Sequence, residues 1–337
     1  MLKKQAIIIG AGFSYPSRIP KQDQIMKEIL GLDSNNLKFV DISLPQDIAK
    51  FTMFIRYLYA KVSEKESIPL EDLYTLIDSS ILKQRNIGVF PPSALFSIRD
   101  SLDRLVSFVV NRPISDVDLK KTLSKINKYI RRDSVFISLN WDSLLEKTLS
   151  YAGKEIDYVI GLEGKLAKRG NREIPTTVLK PHGSLDWKIC SICETIYSIA
   201  ETEITECFSC KGRGSIDKKT KDDLQDLGIR TEGGALRPLI ISPTFLKTNS
   251  VSQINLIYQR IFKELSEAQE LLFIGYSLPL SDHDIRNILI KAYAVNGNIS
   301  VRVILKEKGD ESKRHEMMKR YSSIYGSQNL KFIWSGY

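Results

Sequence analysis

The sequence predicts an α/β fold, a doubly wound parallel (Rossmann-like) sheet with a helical insertion and a small four-cysteine zinc-ribbon module. Three observations lead there. Short β-branched runs at 6–9, 134–139, 176–179 and 271–274 recur between segments whose apolar residues fall at helical spacing, and strands that alternate with helices build a parallel sheet. Those runs end in small or polar residues: Gly10-Ala11-Gly12-Phe13-Ser14, Asn140-Trp141-Asp142, His182-Gly183-Ser184 and Gly275-Tyr276-Ser277. Such groups then line the carboxyl edge, where open α/β sheets hold ligands. All four cysteines fall into two Cys-x-x-Cys pairs, Cys190/Cys193 and Cys207/Cys210, separated by 13 residues.

Composition sets bounds. A chain of 337 residues accommodates one large domain with an appended module, or two domains. Its 42% hydrophobic and 26% charged residues are ordinary for a soluble protein, and no segment approaches the roughly 18 uncharged apolar residues of a membrane span. Met1-Leu2-Lys3-Lys4 runs straight into Ala6-Ile7-Ile8-Ile9-Gly10, too short an apolar run for a secretory signal, so a cytoplasmic location is expected. The net charge of +9, from 49 Lys plus Arg against 40 Asp plus Glu, permits an anionic ligand. Basic residues at 211–221 and 306–319 are mixed with acidic ones, which fits solvated faces better than a nucleic-acid groove.

In chain order, the first strand ends in the Gly10 to Ser14 turn, whose backbone amides can cradle a pyrophosphate. Tyr15 stands where the dinucleotide fingerprint has its third glycine, and no strand ending in an acidic ribose ligand follows about 20 residues later. Helical spacing then runs through 21–32 and 46–62, the second with the stripe Ile48, Phe51, Ile55, Leu58 and Val62, and continues through 70–82, 93–110 and 115–130. The block 21–130 therefore reads as a helical insertion or lid.

The strand at 134–139 delivers Asn140-Trp141-Asp142 to its end before Ser143-Leu144-Leu145-Glu146, a capping-box spelling. Singly, Asn140 reads as a turn residue and Asp142 as a helix cap; at the mouth of one sheet they read together as a site. After the strand at 176–179, Pro181 stops the ladder and leaves His182 at its end. A lone histidine is more often a core or turn residue. His182 is one of three in the chain, follows a strand, and precedes Gly183, where a missing side chain would let a ligand approach the backbone.

Four thiolates in two knuckles suit tetrahedral Zn²⁺ held by Cys190, Cys193, Cys207 and Cys210. Four protein ligands leave no open position, so the metal is expected to be structural, and disulfides conflict with the expected compartment. Polar, Gly-rich residues 211–237 lead back from the ribbon, and Leu239-Ile240-Ile241-Ser242-Pro243 is expected to resume the sheet. Ile254, Ile257, Tyr258, Ile261 and Leu265 mark the next helix. The strand at 271–274 ends in Gly275-Tyr276-Ser277-Leu278-Pro279, a second contact for phosphate or ribose, and Ser281-Asp282-His283-Asp284 reads as a helix start. Strands at 299–305 and 330–334 around a charged helix complete the pattern. The expected domains are a Rossmann-like domain of 1–186 and 238–337, carrying the insertion 21–130, and a zinc ribbon of 187–237.

With these five motifs in this order, the chain resembles the sirtuin superfamily over nearly its whole length. More narrowly, Asn140 to Glu146, His182 to Asp186 and Gly275 to Asp282 look like sirtuin-like domains of bacterial antiphage defence systems, many of which hydrolyse NAD. The departures from deacylating sirtuins matter equally. Lys21-Gln22 follows Ile19-Pro20 where those enzymes continue in Pro-Asp-Phe-Arg, Leu139 replaces the glutamine of their Gln-Asn-Ile-Asp motif, and Arg237 to Pro243 lacks the Val-Phe-Phe-Gly segment that pairs with acylated peptide.

The resemblance implies NAD⁺ as substrate, its pyrophosphate on Gly10, Ala11, Gly12, Phe13 and Ser14, its adenosine half near Gly275 and Ser277, and nicotinamide beside Asn140 and Asp142. His182 would act as base, Asn140 would orient water or ribose, and Asp142 would meet the carboxamide. The implied activity is hydrolysis of NAD⁺ to nicotinamide and ADP-ribose by a defence effector. NAD-dependent protein deacylation and a non-catalytic nucleotide-binding subunit are the alternatives. A homo-oligomer and a partner subunit, a DNA translocase or a phage-sensing protein, are expected, with the helical block as a gate.

Overall fold

The computed structural model describes residues 4–32, 44–59, 69–131, 133–161, 175–190, 192–198, 207–210, 236–241, 251–307 and 309–336. Among the described residues, seven parallel strands form the main sheet, in the order β10-β9-β8-β1-β2-β4-β3. They are β1 Gln5–Ile9, β2 Ser134–Ser138, β3 Ile156–Asp157, β4 Thr176–Leu179, β8 Glu270–Ile274, β9 Ser300–Ile304 and β10 Leu330–Ile333. From β1 the chain builds outward through β2 on one side and later through β8 on the other. The carboxyl ends of β1 and β8 therefore flank the crevice where the winding direction reverses, the usual ligand position in this architecture.

The strands are nearly continuous apolar runs because both faces are covered. Side chains alternate: Ile7 and Ile9 of β1, Phe136 of β2, and Leu272 and Ile274 of β8 enter one core. Ala6 and Ile8, Val135 and Ile137, and Leu271 and Phe273 enter the other. The first core is closed by α1 Gln22–Leu30, α2 Leu44–Leu58, α3 Leu70–Leu82, α4 Pro92–Val110, α5 Asp116–Ile126 and α6 Leu144–Tyr151. The second is closed by α7 Ser252–Glu267, α8 His283–Val295 and α9 Glu311–Tyr325. The predicted insertion or lid thus supplies five of the six described helices that cover this face of the sheet. Its stripes are core: Phe51, Phe54, Leu73, Leu95, Leu102 and Leu105 are all essentially inaccessible.

Local chemistry sets the helix ends. Ser115 Oγ accepts from the Asp118 amide at 3.2 Å while Asp118 reaches back to the Ser115 amide, a completed capping box at α5. Within the helical layer, buried Asp47 of α2 accepts from Arg104 through both carboxylate oxygens, at 2.6 Å each, and from Ser101 at 2.7 Å. Paired in this way, the carboxylate can stay buried between α2 and α4.

The segment around 239 does not rejoin the main sheet. β7 Leu236–Ile240 pairs antiparallel with β5 Gly183–Cys190, and β6 Ile196–Ser198 pairs with the other edge of β5. Alternation signals a strand without naming its partner, and here β5 intervened. Ser242 and Pro243, much of the ribbon at 199–206 and 211–235, and the helical stripe's Val62 lie outside the described residues.

Candidate functional site

A cleft of about 810 Å³ opens at the carboxyl ends of β1, β2, β4 and β8, within the size range of pockets that take small ligands and cofactors. Of the sequence-predicted site residues, Gly10, Ala11, Gly12, Ser14, Asn140, Asp142, His182, Gly275 and Ser277 all line it. Phe13 does not: its ring is buried in the helix-side core and its amide donates to the Gly10 carbonyl at 2.9 Å. Nothing in the spacing distinguishes an inward turn residue from an outward one.

The glycines of the first turn answer a packing requirement. A side chain at Gly10 would strike Tyr276 Cα at 2.7 Å, and one at Gly12 would strike Gly275 Cα at 2.8 Å. Gly12 donates to the Gly275 carbonyl at 2.8 Å, so the β1 and β8 turns are locked backbone to backbone. Gly183 follows the same logic. At φ 75°, a Cβ there would lie 2.1 Å from the Leu239 carbonyl oxygen, so its missing side chain admits strand β7 rather than a ligand.

Asn140 donates through Nδ2 to the Gly10 carbonyl at 3.1 Å and to Ser14 Oγ at 3.0 Å, and Ser14 Oγ donates to Asp142 Oδ1 at 2.9 Å. The Leu144 amide also donates to Asp142 Oδ1, at 3.0 Å. Asn140, Ser14 and Asp142 are therefore one rigid buried unit. Burial pushes the Asp142 carboxyl above its ordinary range, partly offset by the Lys180 ammonium and by the Leu144 amide and Ser14 hydroxyl.

Lys180, fully buried just past β4, was not legible in the sequence as a site-supporting group. Its ammonium donates to the Asp142 carbonyl at 2.8 Å and pairs with Glu146. This contact explains why the Ser143–Glu146 capping box does not form: Ser143 makes no side-chain cap, and Glu146 turns inward to neutralise the lysine. Burial raises the Glu146 carboxyl as well, with Lys180 working the other way. The pair supports the Asp142 turn from behind.

His182 places Nδ1 3.2 Å from the Leu139 carbonyl and Nε2 3.5 Å from Asp282 Oδ1. Asp282 sits at the start of α8 as expected, yet it makes no side-chain cap; its Oδ2 accepts from the Tyr276 hydroxyl at 2.7 Å. Burial, then the adjoining Asp282 carboxylate, hold the Tyr276 phenol well above its ordinary range. The Leu185 amide donates to the Trp141 carbonyl at 2.9 Å, tying the Asn140 turn to β5.

At the far end of β5 the four cysteine sulfurs all lie within 4.8 Å of one another. Cys190 and Cys210 are 3.5 Å apart and Cys193 and Cys207 3.4 Å, far beyond a disulfide bond and close to the ~3.8 Å edge of a tetrahedron with metal–sulfur bonds of about 2.3 Å. The set is positioned to bind a metal. The amides of Phe208 and Ser209 donate to the Tyr197 hydroxyl, which lies 3.2 Å from Cys207 Sγ. Burial works against the Cys207 thiolate, but this hydroxyl and the neighbouring donors outweigh it and bring the group down to about 6.

A SIR2-like domain family model matches residues 134–325, more than half of the chain. Among solved structures, the chain is similar to a Sir2 homologue–NAD complex at 13% identity and a TM-score of 0.44, covering 99% of this chain and 85% of that one. It is also similar to a mutant Sir2 homologue with 2′-O-acetyl-ADP-ribose (12%, 0.42, 98% and 95%) and to Sir2 bound to acetylated peptide (12%, 0.37, 98% and 87%). No curated protein sequence matches the chain significantly. No helix among the described residues is long and apolar enough to cross a membrane.

Proposed function

The chain belongs to the SIR2-like domain family, and from that premise we propose that it is an NAD⁺ hydrolase that releases nicotinamide and ADP-ribose, with a structural Zn²⁺ on its four cysteines. The observation that carries the reading is the placement of His182. A carbonyl can only accept, so with the ring proton on Nδ1 beside Leu139, Nε2, which is buried and makes no hydrogen bond, is the acceptor offered to the cleft. That is the arrangement of a general base.

The rest of the cleft fits the same chemistry. The glycosidic nitrogen of NAD⁺ is already cationic, so nicotinamide departs without a general acid, and the protein has to steady an oxocarbenium-like ribose and direct a nucleophile. Both protons of the Asn140 amide are committed to Gly10 and Ser14. What Asn140 offers a substrate is its oxygen, an acceptor for a ribose hydroxyl or for water. Asp142, held by Ser14 and Leu144, would meet the carboxamide; the exposed Ala11 at the lip of the β1 turn and Ser277 beyond β8 would take the phosphate and adenosine portions. The peptide-pairing motifs of deacylating sirtuins are missing from the sequence, so water is the nucleophile assigned. By its motifs the chain would serve as an NAD⁺-depleting effector in antiphage defence, in the cytoplasm, as an oligomer or beside a partner subunit.

Incubating the purified chain with NAD⁺ alone and separating the products tests the reading. Equal amounts of nicotinamide and ADP-ribose are expected. NAD⁺ recovered intact from a protein that binds it tightly would instead mark a nucleotide-sensing subunit.

A further inference from the structure

Asp282 occupies the N-cap position of α8, where an aspartate ordinarily accepts from the first free amides and so stabilises the helix. It forgoes that bond. Its side chain is about nine-tenths buried and turned toward the cleft, with Oδ2 fixed by the Tyr276 hydroxyl and Oδ1 directed at His182 Nε2. Tyr276 is itself held from two sides: its carbonyl accepts from the Tyr321 hydroxyl at 2.6 Å, and its ring stacks on Phe273 with 6.4 Å between centroids. Between Tyr276 and Asp282 the chain turns through Leu278, buried and at φ 52°, a strained conformation of the kind that concentrates at functional sites.

Two acceptors therefore face each other, a ring lone pair and a carboxylate oxygen. Their 3.5 Å separation is longer than a direct hydrogen bond prefers, yet one oxygen atom can lie within bonding distance of both. What such a pair recognises is a small molecule with two protons to donate from a single atom. Water has two; a ribose hydroxyl or an alcohol has one. The geometry points to His182 Nε2 and Asp282 Oδ1 as a two-acceptor seat for the attacking water, which makes Asp282 a catalytic residue. This rests on the hydrolase reading and sharpens it, because it names the group that selects water as the acceptor.

In the resulting step the water oxygen bonds to C1′ of the nicotinamide ribose while the C1′–N bond breaks. The electron pair of that bond leaves on nicotinamide, which departs neutral. One water proton passes to His182 Nε2 and then to solvent; the other stays on the new anomeric hydroxyl, which donates a hydrogen bond to Asp282 Oδ1. The sum is NAD⁺ plus water giving nicotinamide, ADP-ribose and one proton.

The test compares the wild-type chain with Asp282→Asn and Asp282→Glu, using NAD⁺ in buffer and in methanol–water mixtures and measuring nicotinamide, ADP-ribose and methyl ADP-ribose. Asparagine preserves an acceptor for Tyr276 but can turn an N–H toward Nε2, so kcat should fall by about 10²-fold with KM little changed. Because methanol needs only one acceptor, the methylated share of product should rise. Glutamate retains the charge but displaces the oxygen, so both effects should be intermediate, and this variant carries the comparison if asparagine impairs folding. Wild-type protein that releases no nicotinamide overturns the hydrolase reading and the seat with it. An active wild type with unchanged kcat in Asp282→Asn overturns the seat alone. So does a lowered kcat with an unchanged methylated share, which would reduce Asp282 to a partner that only fixes the imidazole.

Discussion

The cleft and the cysteine knuckles are joined by a single eight-residue strand, β5, and they treat their polar atoms in opposite ways. At the knuckles, four sulfurs converge on one point, a closed donor set in which every protein group would be used by the metal. At the cleft, hydrogen bonds link Asn140, Ser14, Asp142, Lys180 and Glu146 to one another, while His182 Nε2, which lines the cleft, is buried without one, as is Glu146 Oε2 behind it. A closed set stabilises; an open one, braced by closed neighbours, has something left to react with. On the proposed function, the difference gives holding to one end of β5 and chemistry to the other.

The largest effect should come from opening the cleft's constellation further. His182→Ala and Asn140→Ala should each lower NAD⁺ hydrolysis by roughly 10²- to 10⁴-fold, with the fold retained in both and with Asn140→Ala also losing about 1–3 kcal/mol for the two buried hydrogen bonds it removes. Unchanged product formation in either variant would remove that residue from the mechanism.

Replacing Cys190 and Cys193 with serine should produce the converse pattern. Metal analysis should fall from one zinc per chain to none, and stability should drop by more than about 3 kcal/mol, a fraction of the ~10 kcal/mol that structural zinc supplies to small folding units. The remaining folded molecules should keep their kcat. A stable, metal-free variant would end the holding role, and a loss of kcat at full stability would merge the two regions.

Gly183→Ala probes the joint between them. The substituted residue would have to keep φ near 75° with its Cβ 2.1 Å from the Leu239 carbonyl, so β7 must move. A cost of about 1–3 kcal/mol is expected in chemical denaturation, with reduced activity because His182 is the adjoining residue. A silent substitution would mean that β7 does not constrain the site.

The smallest effect concerns pH. The folded-state pKa of Asp142 is raised above the ordinary 3.8 by burial. Its protonated form is therefore favoured by folding, and that contribution is complete below the unfolded value and lost as pH rises through the folded one. Asp142→Asn should remove this dependence. The stability of wild type relative to variant should decline as pH is raised from the ordinary aspartate range, and the smaller upward push that Asp142 exerts on Glu146 works in the same direction. A wild-type advantage that grows with pH would mean that Asp142 is held as a favoured carboxylate.

Much of this was legible in the sequence. Strand ends, helical stripes and paired cysteines announce themselves by period and spacing, and the predicted site residues they delivered to one edge, Phe13 excepted, line one cleft. Partners at long range were not legible. Glu146 spelled a capping box until a buried lysine 34 residues away claimed its carboxylate, and Asp282 spelled a helix cap until Tyr276 and His182 drew it inward. Gly183 was read as room for a ligand, and only the sheet reveals that the approaching backbone is β7. The helical block read as a lid because sequence order says when the chain leaves the sheet and is silent on the face it returns to.

The central claim, that this cleft directs water at NAD⁺ without help from an acylated peptide, is tested most directly by the rate of nicotinamide release. It should be measured with NAD⁺ alone and with NAD⁺ plus an acyl-lysine peptide, beside His182→Ala as the blank. Equal release with and without peptide, abolished in the variant, is the predicted result. Release that begins only when peptide is added, with the acyl group transferred to ADP-ribose, would contradict it.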